Sequence, residues 1–444
     1  MGQNTAVMKA VESLDYRVTV GDVAAQAGLK LAVAQQGLNA LAADTQAHLQ
    51  VSDSGEIAYE FPKGFRAILR NKYWRLRVQE TWSKIWNVLF YLIRISFGIL
   101  LLLSIVVIVA AIAILLIAMS SASQRDDDRG GYGGGGGGLI FLPRFWIGDL
   151  YYLFHYNPRY GRRSVPSTQR PRRPGQTNDG MNFLEAIFSF LFGDGDPNAD
   201  LEERRWQEIA AVIQNNGGAI AAEQVVPYLD TVGQGWAAED EDYMLPVLTR
   251  FNGVPEVSPN GDIIYHFPEL QITAQKRGRI SVPAYLKEIP RKFSEAKSGQ
   301  ITGAVGLGVF NLVGALFLGG LLRDQAFVAE LGGFIAFVNG IYWLLLGYGI
   351  GFLGIPAVRY FWTKRQNTKI EQRNEQRQSR AMALNAAGPE LDGKIDFAKQ
   401  FAAQTVVTEE DLAYTTAKDL TEQEYEQREK LDAEWQKRLE DGSS

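Results

Sequence analysis

The sequence predicts a mainly α-helical membrane protein in which one structural unit occurs twice. Two observations predict the membrane part: an uncharged apolar run at Ile95–Met119, and a glycine-rich apolar pair at Ile301–Pro356. A third predicts the duplication, because a pattern at Val51–Pro62 recurs at Val257–Pro268. The average composition conceals this division, since a mean hydropathy of −0.12 would suit a soluble protein.

The first apolar run is long enough to cross a bilayer. Roughly 25 residues at about 1.5 Å each extend about 38 Å, against about 30 Å of hydrocarbon. Trp82, Trp86, Phe90 and Tyr91 precede the run, and such aromatic residues concentrate where a membrane meets water. A buried helix of a soluble core is the alternative, but those helices are rarely so long and so apolar on every face.

The second apolar region predicts a helical hairpin with arms Ile301–Leu322 and Gly332–Pro356. Small residues let helix backbones approach closely in lipid. The glycines are therefore predicted to pack one arm on the other, with oligomer contacts or a substrate path as alternatives. The predicted packing glycines are Gly303, Gly306, Gly314, Gly340, Gly347 and Gly351.

Lysine and arginine near the apolar segments predict the topology, because they favour the cytoplasmic side of a membrane. Their positions place the N-terminus, the segment before the hairpin and the C-terminus in the cytoplasm. This topology requires a further crossing, for which the charge-interrupted segment 139–156 is the candidate; an interfacial or re-entrant segment is the alternative. The predicted membrane-surface residues are Lys63, Arg66, Arg70, Lys72, Arg75, Arg77, Lys276, Arg277, Arg279, Arg291 and Lys292.

Each copy of the repeated pattern has the signature of a β-hairpin, with Ser-Gly or Asn-Gly at the turn. Three predicted helices precede each copy, and three helices followed by a two-stranded wing predict two winged-helix-like α+β domains. A basic segment and transmembrane helices follow each domain, so the duplication covers a whole unit. The predicted helices are Val7–Leu14, Val20–Ala27, Leu31–Ala43, Leu201–Gln214, Ala221–Leu229 and Asp240–Phe251.

Winged helices often bind DNA, but the charges here argue against it. The helix at the recognition position, Lys30–Asn39, has one cation, and its counterpart in the second copy carries the acidic run Glu239–Asp242. Phosphate contacts depend on Lys and Arg. Protein interaction is therefore the favoured function for both domains.

The sequence contains no recognised catalytic or cofactor site. The absence of cysteine excludes disulfides, thiolate metal sites and cysteine nucleophiles. Asp194, Asp196 and Asn198 have the spacing of a calcium loop, but Ala199 and Arg205 stand where that loop needs Gly and Glu. A turn followed by a helix start is the favoured interpretation, and the chain is predicted not to be an enzyme.

The predicted order of segments can be stated with its boundaries. The first half of the chain comprises a winged-helix-like domain (1–62), a basic segment (63–85), a transmembrane helix (86–121), a glycine-rich linker (122–138) and the candidate membrane segment (139–156). A basic linker (157–180) and an amphipathic helix with a turn (181–199) follow. The second half comprises a winged-helix-like domain (200–270), a basic segment (271–298), a transmembrane hairpin (299–356) and a charged helical tail (357–444). Within that tail, Lys364–Met382 and Thr421–Leu439 are predicted to be exposed helices, and Val406–Leu412 to begin a helix capped by Thr408.

The stretch Phe190–Asn198, followed by Glu202–Trp206, resembles a family of multi-pass proteins of cyanobacteria and plant chloroplast membranes. Plant members of that family carry a loose iron–sulfur cluster biosynthesis label, although a chain without cysteine cannot ligate a cluster in the usual way. The resemblance implies a photosynthetic host and a thylakoid or plasma membrane, and it transfers no catalytic residue.

These observations favour a non-enzymatic membrane scaffold or assembly factor, without a cofactor. Its expected partners are membrane lipids, other membrane or membrane-associated proteins, and a second copy of itself. A transport or lipid-handling protein and a membrane-tethered DNA-binding regulator are the alternatives.

Overall fold

The computed structural model describes residues 2–72, 74–123, 181–232, 240–276, 278–386, 388–408 and 412–425, with positions 428, 432, 435 and 436. The predicted segments 139–156 and 157–180, and the glycine-rich linker beyond Ser123, lie outside these residues. The chain forms two compact units. Unit 1 comprises Met1–Thr81, Pro197–Pro290 and Thr368–Ser444, and unit 2 comprises Trp82–Asp196 and Arg291–Asn367.

The described residues are mostly helical, as predicted, with three small sheets. The helices are α1 (Gly2–Ser13), α2 (Val20–Ala27), α3 (Leu31–Thr45), α4 (Phe65–Lys72), α5 (Trp74–Ser123), α6 (Phe183–Phe192), α7 (Leu201–Asn215), α8 (Leu245–Phe251), α9 (Pro268–Gln271), α10 (Ser298–Leu321), α11 (Gln325–Leu331), α12 (Gly333–Asn385) and α13 (Pro389–Lys399). The strands are β1 (Arg17–Val18), β2 (His48–Ser52), β3 (Ile57–Glu60), β4 (Ala219–Ala221), β5 (Val254–Val257), β6 (Ile263–His266), β7 (Ile272–Thr273), β8 (Thr405–Val406) and β9 (Leu412–Thr415). The sheets have the orders β1-β3-β2-β9, β4-β6-β5 and β7-β8.

The first module of unit 1 consists of α1–α3 and β1–β3, and it confirms the three helices predicted there. Its α2 begins at a capping box, in which Thr19 and Asp22 each accept a hydrogen bond from the other's backbone N–H, both 3.1 Å long. Gly28 ends the helix in the left-handed conformation, at φ +62°. Val11, Leu38 and other buried apolar side chains form the core between the helices and β3.

The second module, α7–α8 with β4–β6, departs from the prediction in its middle helix. The helix predicted at Ala221–Leu229 is wrong: β4 is followed by two 3₁₀ turns, Ala222–Gln224 and Val226–Tyr228. Pro227 explains the difference, because it has no backbone N–H and disfavours the α conformation at the residue before it. The helix predicted at Asp240–Phe251 is a 3₁₀ turn at Asp242–Met244 followed by α8.

The two β-hairpins have matching hydrogen bonds at their turns. The N–H of Ser52 donates to Glu56 O over 2.9 Å, and the N–H of Ser258 donates to Asp262 O over 2.7 Å. Each serine hydroxyl also accepts from the backbone N–H of the same partner, at 3.0 Å in both hairpins. The repeated sequence pattern therefore corresponds to one local geometry present twice.

The two modules pack directly against each other inside unit 1. A Cβ at Gly21 would overlap the carbonyl oxygen of Glu269, so α2 and α9 approach at backbone distance. The Asp22 carboxylate accepts from the N–H of Ala274 over 2.9 Å. On the same side, the Arg250 guanidinium stacks 4.0 Å from the Trp206 ring and donates to the carbonyl of Gly28. The modules thus share one interface in which glycine removes the side chain that would separate them.

The C-terminal part of the chain joins both modules, which the sequence did not predict. The helix start predicted at Val406–Leu412 is wrong at both of its ends: Val406 lies in β8, which pairs in parallel with β7, and Leu412 lies in β9, which pairs antiparallel with β2. Residues 409–411, between these strands, lie outside the described residues. Branched and aromatic residues in this stretch favour extended backbone over helix. The described residues after β9 resume a helix at 420–425.

Among its described residues, unit 2 contains three helical stretches long and apolar enough to cross a membrane: Ile85–Ser121, Ser298–Leu321 and the first part of α12. This confirms the helices predicted from the apolar runs. They meet in two apolar clusters, one around Ala315 and Val338 and one in which α6 packs against Leu101 and Phe352.

The predicted packing glycines differ in their surroundings. Nothing in the described residues lies within 4 Å of a Cβ built on Gly306, Gly340 or Gly347, and Gly351 meets one atom of its own helix at 4.0 Å. Gly314 does face α5, 3.0 Å from Ile108 Cγ2. The close approaches between α10 and α12 instead occur at Gly308, Gly319 and Gly349. The sequence shows that both helices are rich in glycine. Which of these glycines faces the neighbouring helix depends on how each helix is rotated about its own axis.

Helix α12 passes through Pro356 and continues to Asn385, so the predicted end of the second arm is not a helix end. Its C-terminal turns were predicted to be exposed, and this is wrong on one face: Ile370, Arg377 and Ala381 are buried. The burial has a chemical cause, described below.

Candidate functional surfaces

The calcium-like loop is a structural clasp. The Asp194 carboxylate accepts from Arg94 over 2.7 Å and from the N–H of Glu295 over 2.8 Å, and Asp196 pairs with Arg291. The amide of Asn198 bonds both the N–H and the carbonyl of Ile289 at 2.8 Å. Since its carboxylates face arginines, the loop does not offer a cation site. Within the part of the chain that the structure describes, no group of three His, Cys, Asp or Glu could hold a metal ion.

A buried ion network holds the C-terminal turns of α12 in unit 1. Arg377 is 2% exposed and contacts Glu288 at 2.9 Å as well as Asp230. Arg373 adds a second hydrogen bond to Glu288 at 2.7 Å. Burial alone would raise the pKa of Glu288, but the hydrogen bond from Arg373 and the charge of Arg377 outweigh it and hold the pKa below its usual value.

Asn374 completes this network by bonding the backbone of Glu288 on both sides. Its carbonyl oxygen accepts from the N–H of Glu288 over 2.9 Å, and its amide donates to the carbonyl over 2.8 Å. Arg373, Arg377 and Asn374 together hold Glu288 through its carboxylate and its backbone. These contacts fix the segment before the apolar hairpin, and they do not place a nucleophile beside a base.

Lys394 secures α13 to the second module in a similar way. Its ammonium bridges the Glu223 carboxylate at 2.9 Å and the Glu241 carboxylate at 2.6 Å. Burial would lower the pKa of Lys394, but the two carboxylates reverse the effect and raise it. The lysine therefore stays charged, which excludes it as a neutral amine nucleophile at ordinary pH.

Glu208 is a half-buried carboxyl of α7 with a raised pKa. Burial raises its pKa from 4.5 to about 7, although the charges of Arg204 and Arg377 act in the opposite direction. Its Oε2 atom has no hydrogen-bond partner among the described residues. It is a half-protonated group near neutral pH within the packing of α7, rather than a group open to a substrate.

Glu208 gives a pH-dependent prediction. The folded chain binds this proton up to about pH 7, whereas an unfolded carboxyl releases it near 4.5, so stability should fall as pH rises from about 5 to 8. Allowing for solvent screening, we expect a loss of about 1 kcal/mol. Thermal unfolding of the purified chain across this pH range measures it.

The matched variant Glu208→Gln should remove that part of the pH dependence, while Glu203→Gln, at an exposed position of the same helix, should leave it in place. An unchanged pH profile in Glu208→Gln would contradict the assignment.

Helix α3 presents a polar surface with little charge. Lys30, Gln35, Gln36 and Asn39 are exposed. Asn39 accepts a hydrogen bond from the Tyr59 hydroxyl over 2.7 Å, which fixes the end of this surface against β3. We refer to the exposed side of α3 as the α3 surface.

The predicted membrane-surface residues have varied surroundings. Lys63, Lys276, Arg279 and Lys292 are exposed; Arg66 pairs with Glu12, and Arg291 pairs with Asp196 over the Trp362 ring. The side chains of Arg70, Lys72, Arg75, Arg77 and Arg277 lie outside the described residues. The ion pairs of Arg66 and Arg291 could not be predicted from sequence, because their acidic partners are distant in the chain.

A buried amide lies in the middle of unit 2's apolar helices. Asn311 of α10 is 1% exposed, and neither polar atom of its side chain has a hydrogen-bond partner among the described residues. The Ser104 hydroxyl of α5 is likewise buried and lacks a partner there. Leaving such groups unpaired costs free energy.

Asn311 therefore supports a stability prediction. Asn311→Leu should raise the stability of the chain by about 1 kcal/mol, because an apolar side chain of similar size removes an unpaired amide. Asn339→Leu is the control, since the amide of Asn339 donates to Gln325 and its removal should bring no gain. Thermal unfolding in detergent measures both, and a loss of stability in Asn311→Leu would contradict the account.

A chloroplast protein of a plant is similar to this chain over most of its length. The chain is 38% identical over 431 residues to an uncharacterised chloroplastic protein of Arabidopsis thaliana, covering 94% of this chain and 80% of that protein. No family model matches the chain, and no solved structure matches it. The match confirms the predicted likeness to plant chloroplast proteins and supplies no site residue.

Proposed function

Because this chain belongs to the same family as the uncharacterised chloroplastic Arabidopsis protein, we propose that it is a non-enzymatic integral membrane scaffold of a photosynthetic membrane. In this proposal unit 2 anchors the chain in lipid and unit 1 binds other proteins. The observation that carries the proposal is that one chain contains both apolar, membrane-length helices and a folded unit. In that unit the buried charged groups around Arg377 and Lys394 form ion pairs that stabilise the fold.

Membrane insertion is supported by the exposed apolar surface of unit 2. Trp343 is 76% exposed, and Leu344, Val358 and Phe361 are comparably open. A soluble protein would bury side chains of this size, whereas lipid solvates them. The exposed glycines Gly306, Gly340 and Gly347 lie on these helices, which keeps contact with a second copy among the alternatives.

Duplicated winged-helix-like modules are the proposed origin of unit 1. The sheet orders β1-β3-β2 and β4-β6-β5 correspond strand for strand, and the hairpins share their turn hydrogen bonds. The altered middle helix at Pro227 is the main departure in the second module.

Protein binding is favoured over DNA binding by the chemistry of the α3 surface. It presents amides and small side chains where nucleic acid would need several cations. Transport is disfavoured because the spans of unit 2 contain few ionisable residues, so that a path for charged substrates lacks its usual groups. The proposed cytoplasmic position of unit 1 follows from the basic residues that flank the apolar helices.

Crosslinking of the full chain in native membranes, followed by identification of partners, tests the proposal. The double variant Gln36→Arg/Ala40→Arg places two charges one turn apart on the α3 surface and should reduce partner capture at least tenfold. Gln372→Arg/Gln376→Arg is the control, because it adds the same two charges, also one turn apart, on an exposed part of α12.

Equal capture by the α3 variant and its control would overturn the α3 surface as the partner site. Recovery of no protein partner from any variant would overturn the scaffold function itself. Specific retention on DNA at physiological salt would favour the regulator alternative, and substrate flux in liposomes would favour transport.

A further inference from the structure

The outer edge of β2 is filled by a segment from the far end of the chain. The residue pairs are Gln50 with Thr415 and Val51 with Tyr414, followed by a change of register. Thr416 continues the contact: its N–H donates to Leu49 O over 3.0 Å, and its hydroxyl accepts from Leu49 N–H over 2.9 Å. The segment is attached mainly by backbone hydrogen bonds, which any extended peptide can make.

Side-chain contacts of this segment are modest. Leu412 packs, partly buried, against a small cluster that includes Ala58 and Val407, while Tyr414 is 38% exposed. A segment that pairs with the outer edge of β2 therefore needs two side chains: an apolar residue at the position of Leu412 and a hydroxyl at the position of Thr416.

Gln423 latches the segment from its other side. Its amide accepts from the N–H of Thr415 over 2.9 Å and donates to the carbonyl of Thr415 over 2.7 Å. The same amide donates to the carbonyl of Lys418 over 2.9 Å. One side chain thus occupies the backbone groups that a further strand would use, and it closes the sheet at β9.

The second module shows that a module of this kind folds without the added strand. Among the described strands, β5 has β6 as its single neighbour. Leu49 is opposite Tyr59, and Pro255 is opposite Tyr265 at the same place in the repeat. Because proline has no N–H, the outer edge of β5 lacks the donor that Leu49 gives to Thr416. Proline therefore blocks strand addition at the outer edge of β5, whereas the outer edge of β2 can pair with a further strand.

We infer that the outer edge of β2 is a binding site for an extended segment of a partner protein, which the chain's own residues 412–416 occupy until a partner displaces them. This inference rests on the proposed scaffold function and names a site distinct from the α3 surface. The partner segment pairs through its backbone, packs an apolar residue beside Ala58 and accepts a hydrogen bond from Leu49.

Hydrogen exchange of the full chain tests whether the segment opens by itself. The amides of residues 413–416 should exchange at least a hundredfold faster than those of β3 at Ala58 and Glu60, because the segment can detach while the module stays folded. Equal protection in β9 and β3 would show that β9 is an integral strand and would overturn the inference.

Peptide binding tests the site directly. The probe is a labelled synthetic peptide with the sequence of residues 411–425, added to the purified full chain. Gln423→Ala, which removes the latch, should bind it at least tenfold more tightly than the unaltered chain. A chain ending at Thr408 should bind it more tightly again, provided that circular dichroism shows the fold to be retained.

Leu49→Pro is the matched control, because the second module carries proline at the same place and folds. Added to Gln423→Ala, it should abolish the gain in peptide binding. No binding by folded Gln423→Ala and by the shortened chain would overturn the inference, as would binding that Leu49→Pro leaves unchanged. A concentration-dependent dimer held by exchanged C-terminal segments would overturn a foreign partner as the occupant.

These outcomes are separable from those of the scaffold test. Peptide binding at β2 reports on this edge alone, whereas crosslinking reports on partners of the whole chain. A chain that binds the peptide but captures no protein in membranes would retain the strand site and lose the scaffold function.

Discussion

Replacing Gly21 by valine should destabilise unit 1 by about 3 kcal/mol or more. A Cβ at this position overlaps the carbonyl oxygen of Glu269, and backbone cannot move aside as a flexible side chain can. Either α2 and α9 must separate, or the second module must shift as a whole. A lower thermal unfolding midpoint of the purified chain, and faster hydrogen exchange in α2 and α9, are the expected readouts.

Gly393→Ala is the control for this prediction. Gly393 lies within α13, and nothing among the described residues comes within 4 Å of a Cβ built there. Alanine should therefore raise stability by about 0.5–1 kcal/mol, through helix propensity alone. If Gly21→Val unfolded at the same temperature as the unaltered chain, the close packing of the two modules would be refuted.

Replacing Arg377 by methionine should cost about 3–5 kcal/mol. The substitution keeps the bulk of the side chain but leaves Glu288 buried, with Arg373 as its remaining cation, and removes one partner of Asp230. The unfolding midpoint should fall most at neutral pH. At acid pH the loss should shrink, because the pKa values of Glu288 and Asp230 are lowered in the folded chain and their contribution disappears once they are protonated.

Lys369→Met provides the comparison for Arg377, since it removes a charge from an exposed position of the same helix. Its effect should stay within about 0.5 kcal/mol. The double change Arg377→Met with Glu288→Gln should recover part of the loss, because the buried carboxylate that has lost one of its two cations is then replaced by an uncharged amide. Equal effects of Arg377→Met and Lys369→Met would contradict the burial of the network.

Local patterns allowed much of unit 1 to be predicted. Thr19 and Asp22 cap the N-terminus of α2, and Gly28 ends the helix. These residues are close in sequence, so the limits of the helix are set by local interactions. The repeated hairpins were also visible, since turn chemistry and alternation act over four to eight residues. The helix prediction at Ala221–Leu229 is wrong because Pro227 lies within a stretch whose apolar residues otherwise suit a helix.

The candidate surfaces were less accessible to sequence. Glu288 and Arg377 are far apart in the chain, and a charged helix normally implies solvent on all polar faces. The stretch around Thr415 contains residues that favour β-strands, but a short strand is stable only when it pairs with the edge of a sheet. Both features depend on contacts that no local pattern encodes.

The sequence by itself determined which segments are apolar enough for lipid and where the repeated hairpin turns, because hydrophobicity and turn chemistry are properties of neighbouring residues. Tertiary structure alone decided that the two modules share an interface at Gly21, that Arg377 is buried, and that the C-terminal segment completes the first sheet. Each of these depends on atoms distant in the chain meeting at van der Waals or hydrogen-bond distance. The apolar helices could thus be located from composition, while the strand site at Leu49 required the fold.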